Sequence, residues 1–171
     1  MLGTSCGAVP PPVPTSPADL PPEVRPQVTP GIVLTEVRRI GLPTLDIQIQ
    51  PAGQTLVNFD TIFYAQEPTF ERNVDLLGYD VDIVAEATTY TWHAGDGTTT
   101  RTSDPGGPYP NKDVTHRYTR TTEAVSPRVD VTYQVQFRVD GGEWETIDQP
   151  LTATGQSATL AVREAAPVLT S

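Results

Sequence analysis

An all-β sandwich, preceded by a proline-rich tail and one short helix, is the fold class that the sequence predicts. Three observations carry it. Residues 129–139 alternate without a fault: Val129, Val131, Tyr133, Val135, Phe137 and Val139 are separated by Asp130, Thr132, Gln134, Gln136 and Arg138. A period of two is the mark of a strand with one buried face. Turn signals recur at short intervals through a long helix-poor region, which argues for sheet packed on sheet. The aromatic run Tyr90-Thr91-Trp92-His93 stops abruptly at Gly95-Asp96-Gly97. The two glycines permit backbone angles closed to other residues, and the Asp96 carboxylate can accept hydrogen bonds from turn amides.

The elements follow in chain order. Residues 1–30 hold nine of the 18 prolines and no aromatic residue. That composition cannot offset the entropy of ordering, so residues 1–28 are expected to form a disordered, semi-rigid spacer of polyproline II character. The rival is a docking motif for a proline-reading domain. From Thr29 the character changes. Thr29 can cap a helix, Pro30 suits its first position, and Val33, Val37 and Ile40 fall at helical spacing before the stop Gly41-Leu42-Pro43. One short amphipathic helix is expected. A strand competes for Ile32-Val33-Leu34, two of which are β-branched.

Leu45, Ile47 and Ile49 then alternate with polar residues, Pro51-Ala52-Gly53-Gln54 reads as a turn, and residues 56–64 read as a returning strand. Residues 29–67 are therefore expected to be a short helix plus an N-terminal hairpin extension, ahead of a sandwich over 68–165. Within that sandwich, strands are expected at 70–76, 79–83, 90–93, 114–118, 129–139, 144–147 and 158–163. Long loops are expected at 98–113 and 119–128. Asp140-Gly141-Gly142-Glu143 is a tight hairpin signal. No internal repeat is present.

Composition narrows the function. The formal net charge is -10, from 21 acidic and 11 basic residues. An acidic chain without a Lys/Arg cluster repels phosphate backbones, so nucleic acid is excluded as the expected partner. No window approaches the ~20 apolar residues of a membrane helix. Cys6 is the only cysteine, so an internal disulfide is excluded and the fold must rest on packing. Residues 2–6 have a faint lipobox flavour, but Leu2 stands one position too far from Cys6 and no basic or long apolar stretch precedes it. Cys6 reads as incidental, and the residues given carry no export signal.

The order Trp92-x-x-Gly95-Asp96-Gly97, then His116-x-Tyr118, then the strand Tyr133-x-Val135-x-Phe137-x-Val139 resembles the PKD domain, an immunoglobulin-like β-sandwich. The resemblance spans about residues 68–165. It implies that Trp92 is the core tryptophan, Asp96 the turn carboxylate, and Gly95, Gly97, His116 and Tyr118 structural parts of the motif. Ala94 stands where the family usually has an aromatic residue, which implies a smaller core there or one filled from elsewhere. The resemblance further implies a non-catalytic, extracellular or cell-surface module that contacts a cell-envelope protein or glycan, or acts as a spacer. The alternative is an accessory module or subunit of a secreted hydrolase or surface filament. An extracytoplasmic setting would go with a trimmed or mis-started N-terminus.

No nucleophile elbow or phosphate-binding glycine loop is present. His93 and His116 are the two histidines, and a base alone is not a catalytic constellation. No catalytic residue, cofactor or metal is assigned. Asp80, Asp82, Asp96 and Asp104 are ligands of the type calcium uses, but without calcium-loop spacing, and a solvated strand face looks the same. Two aromatic residues are candidates for binding: Tyr109, in the loop rich in Pro and Gly, and Trp144, beside the Asp-Gly-Gly turn. An exposed Trp144 can stack on a sugar ring or a partner side chain; the competing reading folds it back on the sheet.

Overall fold

A computed structural model describes Val13, Ser16 and residues 26–166. The spacer expected over 1–28 lies outside the described residues except at Val13, Ser16 and 26–28, and Cys6 lies outside them. The described chain is 49% strand and 8% helix, which makes it all-β with one short helix.

The helix, α1 (Pro30–Ile40), forms as the sequence reading expects. Thr29 caps it through its hydroxyl, Gly41 closes it, and Arg38 and Arg39 in the last turn suit the helix dipole. Its inner face, Val33, Leu34 and Val37, is buried. Val28, just before the cap, also packs against the core.

The strands are β1 (Gln48–Gln50), β2 (Gln54–Leu56), β3 (Thr61–Tyr64), β4 (Phe70–Leu76), β5 (Tyr79–His93), β6 (Thr99–Thr102), β7 (Thr115–His116), β8 (Thr122–Val125), β9 (Arg128–Val139), β10 (Glu145–Thr154) and β11 (Leu160–Arg163). They make three open sheets. The largest has the order β10-β9-β5-β4, with β6 also paired to β5. The others are β1-β3-β7 and β2-β11-β8. All pairings are antiparallel except β2 with β11.

One core unites the sheets. It takes Val129, Val131, Tyr133, Val135 and Phe137 from β9, Val81, Ile83, Ala85, Tyr90 and Trp92 from β5, and Leu160 and Val162 from β11. The helix face joins the same cluster. The Tyr133 hydroxyl donates to the Pro43 carbonyl at 2.7 Å, tying the chain after α1 to the large sheet. The turn from β9 to β10 puts Asp140 and Gly141 at positive φ, and Gly142 N–H closes it on the Val139 carbonyl at 2.9 Å. That twist matches a tight hairpin.

Four expectations need correction. Residues 79–83 and 90–93 are not separate strands but the two halves of β5. Its register against β9 shifts between Ala87 and Thr89. The extra residue re-phases the buried face, from Val81, Ile83 and Ala85 to Tyr90 and Trp92. Residues 98–113 are not all loop, because the Gly-Asp-Gly turn folds β6 back on β5, from His93↔Thr99 to Tyr90↔Thr102. Residues 119–128 contain β8, which borders β11. Residues 56–64 are broken in the middle: β2 pairs with β11 while β3 pairs with β1, and Asn58 between them has φ 60. The expected 44–64 hairpin thus survives only as Gln48↔Tyr64 to Gln50↔Ile62, and its strands are hydrogen-bonded into sheets with β7 and β11.

Candidate functional site

Gly95, Asp96, Gly97, His116 and Tyr118 meet at one corner, with Gly97 at φ 94 closing the turn. Gly95 has φ +83, and a Cβ there would lie 2.6 Å from the Ser126 backbone nitrogen, so the turn passes where only glycine fits. The Asp96 carboxylate accepts from the Thr98 N–H at 2.9 Å and pairs with His116 Nε2 at 2.7 Å. Burial pushes the Asp96 carboxyl up, but these hydrogen bonds outweigh it and hold the group below the usual range. The His116 ring sits edge-on to Tyr118, with centroids 4.6 Å apart. The Tyr118 hydroxyl donates to the Ala94 carbonyl at 2.8 Å. Burial pushes the Tyr118 phenol far up, the Asp96 charge adding to it, so it remains a donor. This contact comes at Ala94, where the sequence has no aromatic side chain. Trp92, two residues upstream, is buried and donates its indole N–H to the Thr102 hydroxyl at 2.9 Å.

His93 lies apart from this corner on β5. Its Nε2 meets Asp130 at 2.9 Å, across the pair with β9. The two histidines therefore each hold a carboxylate, in separate places.

Beside the corner is a groove with a volume of about 620 Å³. Its walls are the end of β1 and the following turn (Gln50, Pro51, Ala52), the β2–β3 connection (Asn58, Phe59, Asp60), and the β6–β7 loop with Arg117 after β7 (Tyr109, Lys112, Arg117). Buried Ile62 also lines it. The Tyr109 N–H donates to Gln50 Oε1 at 2.8 Å, which joins two of the walls. Asp60 receives Arg117 and Lys112 together, and their hydrogen bonds, Arg117 first, hold its carboxyl below the usual range. Phe59 is 54% exposed and Tyr109 70% exposed, so two aromatic rings face solvent across one apolar depression.

Trp144 is not part of this groove. It belongs to the opposite end of the large sheet, where Val81 pairs with Val139, whereas the corner adjoins the pair His93↔Arg128. It is 43% exposed, with the Arg138 guanidinium over its ring at 4.8 Å from the centroid. Arg138 in turn donates to Asp82 at 2.7 Å. The Asn73 amide bridges Asp82 and Asp80 at 2.8 and 2.6 Å. Two of the four aspartates with calcium-type chemistry are thus engaged by Asn73. Among the described residues no group of three or more His, Cys, Asp or Glu is placed to share a metal ion.

Of the candidate binding residues, the structure places Tyr109 in a groove and Trp144 on a sheet surface, and does not bring them together. Phe59, Asp60, Lys112 and Arg117 were not singled out from the sequence. Phe59 was hidden inside an apparent strand, and the three charged residues converge only through folding. No helix among the described residues is long and apolar enough to cross a membrane. No protein-family model, curated protein or solved structure matches the chain. The resemblance to the PKD domain accordingly rests on the residues alone.

Proposed function

We propose that the protein is a non-catalytic, PKD-like module of immunoglobulin type, a β-sandwich that contacts a protein or glycan at a cell surface or outside the cell. The observation that carries the contact reading is the groove. Phe59 and Tyr109 leave large apolar rings in water, at a cost that a partner relieves on binding. Connecting segments at the end of a rigid sheet are where binding residues concentrate. Two features support the PKD-like assignment: Trp92 sits in the core, and the Asp96–His116–Tyr118 cluster braces the turn. The non-catalytic reading draws support from the two histidines lying in separate places, each on its own aspartate, so that they do not join in one constellation. The surface location follows from the resemblance.

The test is retention of cell-envelope protein and glycan fractions on the immobilised protein. Phe59→Ala combined with Tyr109→Ala should release the retained material while the melt stays close to wild type. Unchanged retention would remove the groove from the proposal. Turnover of a peptide, ester or glycan substrate that stops in His93→Ala or His116→Ala would overturn the non-catalytic reading.

A further inference from the structure

We infer that the Phe59–Tyr109 groove is a saccharide site, built for a short run of uncharged pyranose rings. The inference rests on the contact reading and narrows it from protein or glycan to neutral glycan.

A pyranose has an apolar face of C–H groups and a rim of hydroxyls. It therefore needs an aromatic face beside polar groups that both donate and accept. The groove has this arrangement. Phe59 and Tyr109 bring exposed rings to one depression, with Pro51, Ala52 and Ile62 as further apolar lining. Its volume of about 620 Å³ falls within the range of about 300–1,000 Å³ in which small-ligand sites lie.

The polar groups choose between ligand classes. Asp60 accepts from Lys112 Nζ at 3.3 Å and from Arg117 Nε at 2.5 Å. The terminal nitrogens of a guanidinium carry further donors, and a carboxylate has lone pairs to spare. A hydroxyl both donates and accepts, so neighbouring hydroxyls of one sugar can engage both partners of such an ion pair. Gln50 adds to this set. Its Oε1 accepts from the Tyr109 N–H at 2.8 Å, which orients its amide nitrogen as a donor.

Peptide ligands fit less well. An extended peptide binds by main-chain hydrogen bonds, but the wall amides are largely spent. The Asn58 N–H donates to the Tyr118 carbonyl at 2.8 Å, the Phe59 N–H to the Leu56 carbonyl at 3.2 Å, and the Tyr109 N–H to Gln50. Pro51 has no N–H. A proline-rich peptide, the usual occupant of aromatic-lined grooves, brings carbonyl acceptors but no N–H at its prolines, and so offers the Asp60 carboxylate nothing.

Charge selects the neutral saccharides. The two groove cations are both drawn onto Asp60, whose carboxyl they hold below the usual range. The chain around them has a net charge of -10, which opposes a polyanionic glycan.

The test is titration of the isotope-labelled full chain with cellotetraose, mannotetraose and tetra-N-acetylchitotetraose, with tetragalacturonate as the charged comparison. At least one neutral saccharide should shift the backbone amides of residues 50–60 and 109–117. Phe59→Leu and Tyr109→Leu, which keep apolar bulk but remove the ring face, should each weaken that binding by about tenfold. Phe59→Tyr and Tyr109→Phe should keep it. Shifts with none of the three, shifts centred on another face, equal binding in the leucine variants, or tighter binding of tetragalacturonate overturns the inference. The contact reading is separated by retention of envelope material before and after protease digestion. Retention that needs Phe59 and Tyr109 but is destroyed by protease, with no saccharide shifts, overturns the inference and leaves the contact reading standing. Saccharide shifts in the groove of a protein that retains no envelope material would support the site and remove the contact reading.

Discussion

The Gly-Asp-Gly corner and the groove are built from neighbouring residues of one strand end, His116 facing the corner and Arg117 the groove, yet they use aromatic and charged groups in opposite ways. At the corner every group is spent internally: Tyr118 is buried with its hydroxyl on Ala94, and His116 is held between Asp96 and the Tyr118 ring. In the groove the charges pair with each other, but the rings of Phe59 and Tyr109 remain in water. A partnered buried aromatic stabilises the folded state. An exposed one adds almost nothing to it and is available to a ligand. The motif residues thus mark a structural half of this end of the molecule, and the groove proposed for binding lies beside it.

The largest loss of stability is expected at Trp92. Trp92→Ala empties a fully buried site in the large sheet and should cost about 3–5 kcal/mol in a denaturant melt. A variant as stable as wild type would remove Trp92 as the anchor of the corner. Gly95→Ala comes next. It combines a left-handed backbone angle with a Cβ driven onto the Ser126 backbone, and about 2–4 kcal/mol is expected from strain and overpacking together. Urea titration of the purified variant checks this.

Asp96→Ala should cost about 1–2 kcal/mol, through the bonds to Thr98 and His116. The pH dependence sharpens the point. The folded Asp96 carboxyl lies below its ordinary value, so the unfolded chain takes up the proton first. Its contribution is complete above the ordinary carboxylate pKa of about 3.9 and is lost as the pH falls through the folded value. Asp96→Asn should flatten that acid-side loss in melts between about pH 5 and pH 2. A slope identical to wild type would mean that the corner does not hold the charged form. The smallest stability effect belongs to the groove. Phe59→Ala and Tyr109→Ala should each move stability by less than about 0.5 kcal/mol, as exposed side chains do.

The parts legible in the sequence were those whose signal is local. The helix showed its cap, its proline and its periodicity, and β9 showed an unbroken alternation because one face is buried along its whole length. The β5 bulge was invisible as such. A shift of phase between Ala85 and Tyr90 looks like the end of one strand and the start of another. The strands β2, β6 and β8 are short and mostly polar, and long-range pairing rather than any pattern of their own defines them. Gly155 gave no signal, because its need arises only where the Leu45 and Val129 carbonyls crowd the place its Cβ would take. Tyr109 was legible as an aromatic in a turn-rich loop. Phe59 was not, since the break at Asn58 that turns it outward cannot be read from alternation.

The division between corner and groove is tested most directly by measuring melting and envelope retention on the same two proteins, Tyr118→Phe and Tyr109→Ala. Tyr118→Phe leaves the Ala94 carbonyl without its buried donor and should lose about 1–3 kcal/mol of stability, while the folded protein keeps its retention. Tyr109→Ala should melt like wild type and lose retention. The reverse pattern, with Tyr109→Ala unstable or Tyr118→Phe stable but unable to bind, would contradict the account.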